Sequence, residues 1–100
     1  MMRGTTPTHT FTIPFDTNTI DKVRIIYSQD GKEVLRKLIG DCEIGDKDVK
    51  TTLTQEDTFK FDCTLPVEIQ MRILTKGGET INSHIEKVGV ARCLDNEVLV

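Results

Sequence analysis

Apolar and polar positions alternate with a period of two through most of this chain, and in a β-strand that period sends every second side chain to the same face. The pattern is clearest from Pro66 to Thr75. There Val67, Ile69, Met71 and Ile73 point one way and Glu68, Gln70 and Arg72 the other, which predicts a strand with one buried and one wet face. Val23, Ile25 and Tyr27 alternate with Lys22, Arg24, Ile26 and Ser28, and Val49, Thr51 and Leu53 repeat the theme. Between these runs lies hairpin punctuation: Gln29-Asp30-Gly31 closes the first strand and Lys76-Gly77-Gly78 closes the Pro66 strand. The returning segments Glu33 to Ile39 and Thr80 to Ile85 are long enough to pair back. Thr8 to Ile13, stopped by Pro14, reads as an opening strand, Asp41 to Ile44 as a short edge strand and Val88 to Leu94 as a closing one.

One segment breaks the rhythm. Thr54 can cap free backbone N–H groups and Asp57 follows three positions on, so Gln55 to Phe59 is predicted to be a single helical turn. In a sandwich such a turn carries the chain from one sheet to the other, with Phe59 and Phe61 plugging the end of the core. Turn signals recur roughly every 8 to 12 residues, the spacing of a sandwich or small barrel. Size and turn spacing favour an all-β antiparallel sandwich with immunoglobulin-like topology, about seven strands and the one helical turn. A Trp and an inter-sheet Cys pair, hallmarks of immunoglobulin domains proper, are missing: Trp is absent and the Cys count is odd. The expected core is Phe11, Ile13, Val23, Ile25, Tyr27, Val34, Leu38, Leu53, Phe59, Phe61, Val67, Ile69, Met71, Ile73, Ile81, Ile85, Val88 and Val90.

Length adds that 100 residues make one domain, 1–100, because two cores would leave each half too short to fold alone. Residues 1–6 and 95–100 read as tails. The net charge of -3 and the absence of any Lys/Arg cluster argue against nucleic acid, whose phosphates need concentrated cations. Tyr27 and four Phe are too few for a stacking platform. No apolar run approaches the roughly 20 residues of a membrane span, and Met1 to Pro7 contains no apolar stretch of the secretory kind. A cytoplasmic setting is therefore expected, in which Cys42, Cys63 and Cys93 are free thiols.

Candidate chemistry is thin. Zinc sites draw on Cys or His pairs a few residues apart, and His9 and His84 neighbour neither each other nor a Cys, so no metal or other cofactor is expected. Cys63 with His84, or Cys93 with His9, could in principle meet in space, but no Gly-rich turn or helix start flanks any Cys to activate it. The acid pairs Glu56-Asp57 and Asp46/Asp48 read as solvated turn residues, and Gly77-Gly78 as a hairpin tip without the strand-to-helix context of a phosphate cradle. The chain is expected not to be an enzyme. What remains is surface for proteins. Val98-Leu99-Val100, following the acidic Asp95-Asn96-Glu97, can finish the last strand of its own sheet or seek a sheet edge on another chain, and Leu94, Val98, Leu99 and Val100 are the candidate interface.

Three blocks carry a resemblance over nearly the full length: Met2-Arg3-Gly4-Thr5-Thr6-Pro7-Thr8, Leu53-Thr54-Gln55-Glu56-Asp57-Thr58-Phe59-Lys60-Phe61, and Val67-Glu68-Ile69-Gln70-Met71-Arg72 with Gly77-Gly78 behind it. In these the chain resembles small structural proteins of the phages and prophages of Gram-positive bacteria, among them the N-terminal β-sandwich domain of phage baseplate upper proteins. The resemblance implies a virion-associated part of the tail, baseplate or neck. Such a part attaches to other virion proteins and to copies of itself, resides in the bacterial cytoplasm during assembly and in the virion if the prophage is active. The competing expectation is an immunoglobulin-like module that binds a cell-surface polymer through its loops, with Tyr27 and loop acids as tools.

Overall fold

The computed structural model describes residues 1–100. Eight strand segments and one short helix follow in order: β1 Thr8–Thr12, β2 Ile20–Gln29, β3 Lys32–Leu38, β4 Cys42–Ile44, β5 Asp48–Thr52, α1 Gln55–Phe59, β6 Val67–Thr75, β7 Thr80–Asn82 and β8 Glu86–Val88. They form two antiparallel sheets. One has the order β1-β5-β4; the other runs β3-β2-β6-β7, with β8 also on β6. In immunoglobulin topology strands A-B-E-D face C-F-G, with C′ added beside C in the variable type. Here β1, β5 and β4 take the places of B, E and D, while β3, β2, β6 and the β7/β8 pair take those of C′, C, F and G. The fold is thus an all-β, immunoglobulin-like sandwich, and each hairpin and crossover falls where that order requires.

Local chemistry explains the elements. Asp30 and Gly31 both adopt positive φ, 52° and 75°, which is the primed turn whose twist suits a two-residue hairpin between β2 and β3. α1 lies where its capping residues put it: the Thr54 hydroxyl accepts from the Asp57 N–H at 3.1 Å and the Asp57 carboxylate accepts from the Thr54 N–H at 2.9 Å. The segment after β7 is not a second hairpin. β7 and β8 are one strand interrupted by a bulge, since β7 pairs Asn82 with Arg72 while β8 pairs Glu86 with Ile69, one residue out of step. At the interruption Ser83 stands in for the ladder, its N–H donating to the Met71 carbonyl and its hydroxyl accepting from the Met71 N–H.

The core lies between the sheets, with Val23, Ile25 and Tyr27 from β2, Val67, Ile69, Met71 and Ile73 from β6, and Val49, Leu53 and Phe61 among its buried members. Burial of this apolar layer is the main stabilising term, each large side chain contributing roughly 1.5–3 kcal/mol. Four expected core residues are corrections. Phe59 and Ile81 are half-buried and lie outside the core cluster, so that Phe59 does not plug it. Leu38 is 48% and Ile85 53% exposed. In β3 the ladder slips between Tyr27 and Ser28, so that Tyr27 opposes Leu35 while Ser28 opposes Glu33, and Val34 is the extra residue. A one-residue slip reverses the facing of everything beyond it. Leu35 therefore enters the core and Leu38 turns outward. Ile85 falls in the bulge between β7 and β8, which ends the expected Thr80 to Ile85 strand at Asn82. The expected closing strand Val88 to Leu94 does not form: the last strand ends at Val88, and beyond it Ala91 alone makes a bridge, to Met2.

Residues 1–6, read as a tail, are tied to the sandwich: Met2 forms a parallel bridge with Ala91, and the Arg3 N–H donates to the Ala91 carbonyl at 3.0 Å. Gly4, at φ 80°, packs so closely on Phe59 that a Cβ would come within 2.9 Å of its ring.

Candidate functional site

Where the chain crosses between sheets, three segments converge on α1. From β3, the Lys37 ammonium reaches inward to the Asp57 carboxylate at 2.9 Å, a pair largely shielded from solvent. Burial would raise the Asp57 carboxyl pKa, but the Thr54 N–H and Lys37 outweigh it and hold the group below its ordinary value. From the first residues, Arg3 donates to the Phe59 carbonyl at 3.0 Å, with its guanidinium over the Phe59 ring at 5.4 Å, and the Gly4 N–H donates to the Thr58 hydroxyl at 2.9 Å. From the last stretch, the Gln55 amide grips the backbone of Leu99 in both directions, donating to its carbonyl at 2.9 Å and accepting from its N–H at 2.7 Å.

This clamp settles the conformation of the segment from Leu94 to Val100. It neither finishes a strand nor hangs loose: it returns over α1, with Arg3 also donating to Asn96 at 3.2 Å. Its apolar side chains stay outside, Leu94 and Val100 almost wholly in solvent and Leu99 76% exposed. Beside it lies a recess of about 500 Å³ lined by Gly4, Gln55, Phe59, Cys93 and Leu99 among others. The four candidate interface residues thus lie on one segment that is polar toward the domain and apolar toward water. The part that sequence reasoning missed is the clamp, because Gln55 reads there only as a helix residue.

A second surface went unread for a related reason. On the outer face of the larger sheet, Leu38, Ile39 and Leu74 line an open groove of about 590 Å³ together with Lys22, Arg24 and Arg72. The consecutive pair Leu38-Ile39, where alternation fails, is the signal that marks it in the sequence.

The residues weighed for chemistry are dispersed. His9 points between the sheets, its Nδ1 2.7 Å from the Tyr27 hydroxyl, and Tyr27 packs on Phe61 with ring centroids 5.9 Å apart. Burial, and then the amino group of Met1, push the His9 pKa down, while burial raises that of the Tyr27 phenol. His9 is accordingly committed to Tyr27, not to Cys93. Tyr27 is itself fully buried, which removes the aromatic tool of the polymer-binding expectation. Cys42 is half-buried and its thiol is pushed up by burial, whereas Cys63 is exposed; all three cysteines are free. No three His, Cys, Asp or Glu side chains gather as metal ligands would, and no helix is long and apolar enough to cross a membrane.

No family model matches the chain. No curated protein matches it either. Among solved structures it is similar to the V domain of amphioxus IgVJ-C2, with 16% identity over 90% of this chain and 96% of that one and a TM-score of 0.36. The immunoglobulin-like description of this chain stands on its strand order alone.

Proposed function

We propose that this chain is a non-enzymatic structural component of a phage or prophage particle of Gram-positive bacteria, in its tail, baseplate or neck, that works by contact with other virion proteins. The observation that carries the contact role is the Gln55 clamp on Leu99. A backbone fixed from both sides while its apolar side chain faces water is a preorganised anchor, and preorganisation lowers the entropy cost of binding. Exposed apolar residues grouped on one segment mark an interaction surface. The accessible surface of 6451 Å² points the same way, against about 5,700 Å² expected for a monomer of this mass. The virion setting rests on the resemblance carried by the Leu53–Phe61 and Val67–Arg72 blocks.

The test is affinity capture with the purified chain against the separately produced structural proteins encoded beside it. A stable complex with a tail, baseplate or neck protein, lost in L99D, supports the reading. Binding to none of them, or binding that L99D leaves unchanged, overturns it.

A further inference from the structure

We infer that the free edge of β1 is a self-pairing seam, through which two copies of this chain join their smaller sheets about a two-fold axis at Thr10. The inference is independent of the anchor at Leu99 and of any virion setting.

β1 has a neighbour on one side only, β5. In the A-B-E-D order a further strand lies beside B; no strand among residues 1–100 lies beside β1. The hydrogen-bond parity shows which groups are left over. Pro7 accepts from the Leu53 N–H at 2.9 Å and the Ile13 N–H donates to Lys47 at 2.8 Å, so the odd residues of β1 direct their main chain toward β5. In an antiparallel ladder the intervening residues then direct theirs away. Thr8, Thr10 and Thr12 each present an N–H and a C=O to the open edge, and all three are exposed.

Sheets protect such edges with charge, proline, bulges or brevity. The other edges of this molecule follow that rule. β3 carries Lys32, Glu33, Arg36 and Lys37 and a bulge, β4 has 3 residues with a Glu at its centre, and the β7/β8 edge is broken by its bulge and continued by the bridge from Met2 to Ala91. β1 reads Thr8-His9-Thr10-Phe11-Thr12, with strong β-formers, no bulge and no full charge. Pro7 and Pro14 bound the open stretch without entering it.

A second copy fits this edge better than a partner of unlike sequence because the edge complements itself. Turned antiparallel about Thr10, Thr8 opposes Thr12 of the second copy, Thr10 opposes Thr10, and His9 opposes Phe11. The threonine pairs fall at the hydrogen-bonding positions, where they exchange their free N–H and C=O groups. His9 and Phe11, both half-buried, meet on the inner face as an aromatic cross-strand pair. No like charges meet anywhere along the seam. The result is an isologous dimer with one continuous smaller sheet, β4-β5-β1 followed by its two-fold mate.

The test is sedimentation velocity of the full chain from micromolar to millimolar concentration, with amide exchange followed residue by residue. The expected result is a monomer–dimer equilibrium in which protection of the Thr8, Thr10 and Thr12 amides rises with concentration while the His9 and Phe11 amides, already bonded to β5, do not change. T10P removes an N–H that β5 does not use, and proline is tolerated on edge strands; it should weaken the dimer by about tenfold or more. T10K places two ammonium groups face to face and should weaken it likewise, which keeps the test decisive if T10P folds poorly. A monomer at every concentration, or a dimer that T10K leaves equally tight, overturns the seam. Loss of partner capture in L99D with dimerisation intact would leave the seam standing, and the reverse result would leave the anchor standing.

Discussion

Lys37 on β3 and Asp57 in α1 form a 2.9 Å ion pair that joins one sheet to the turn through which the chain leaves the other. The same carboxylate oxygen accepts from the Thr54 N–H, so one side chain caps the helix and anchors the crossover. The two partners are therefore unequal. Removing Asp57 strands a shielded ammonium and uncaps α1, whereas removing Lys37 leaves the carboxylate its backbone donor. Asp57→Ala is expected to cost about 3–5 kcal/mol and Lys37→Met about 1–2 kcal/mol, measured by urea unfolding. Because folding lowers the Asp57 pKa, its contribution is present above the ordinary value of 3.8 and is lost as the pH falls through the folded value. The acid limb of the stability profile should flatten in the Ala variant.

His9 and Tyr27 tie β1 to β2 across the core at 2.7 Å. The folded His9 pKa lies below 6.5, so the unfolded chain takes up a proton first as the pH drops. Stability is fully present above pH 6.5 and declines from there down to the folded value. Melting temperatures measured between pH 7.5 and 5, a range of about 2.5 units around the histidine value, should fall in the native chain and stay nearly level in His9→Gln. Equal slopes for the two would mean that His9 does not titrate between the sheets.

Much of this architecture is legible in the residues, and the exceptions share a cause. The Pro66 to Thr75 alternation, the Asp30-Gly31 turn and the Thr54/Asp57 caps each depend on neighbours a few positions away, and each is found where the chain predicts it. Leu38 and Ile85 are misread because their facing depends on bulges, which are settled by the partner strand. Gln55 is misread because its partner, Leu99, lies 44 positions away and engages it through the backbone, where side-chain identity leaves no trace. Sequence reasoning picked Leu94, Val98, Leu99 and Val100 from their apolar character, but their fixed outward posture comes from contacts that no local pattern encodes.

The inverted facing of β3 can be tested directly. Ile69, 3% exposed at the centre of β6, should not accept a charge: Ile69→Asp is expected to lose about 4 kcal/mol or more and to abolish cooperative melting. Leu38→Asp, on a position the alternation alone would place inside, should fold and melt within about 0.5 kcal/mol of the parent. If both variants unfold, β3 carries Leu38 in the core and the bulge after Tyr27 is misplaced.

The three thiols offer a test of the non-enzymatic reading. Attack on an alkylating reagent needs thiolate and access, and activated cysteines have both. Cys42 has neither in full, since its thiol is pushed up by burial and held against the Leu38 carbonyl at 3.3 Å. Cys63 lies in the open before β6, and Cys93 is half-covered beside Gly4. Labelling with iodoacetamide, followed by mass spectrometry of each peptide, should proceed in the order Cys63, Cys93, Cys42, with Cys63 near the rate of a free model thiol and Cys42 slower by about tenfold or more. Urea should bring all three to one rate. A cysteine that reacts far faster than the model thiol in the folded chain, and loses that advantage in urea, would reveal an activating environment and overturn the assignment of a protein that works by contact alone.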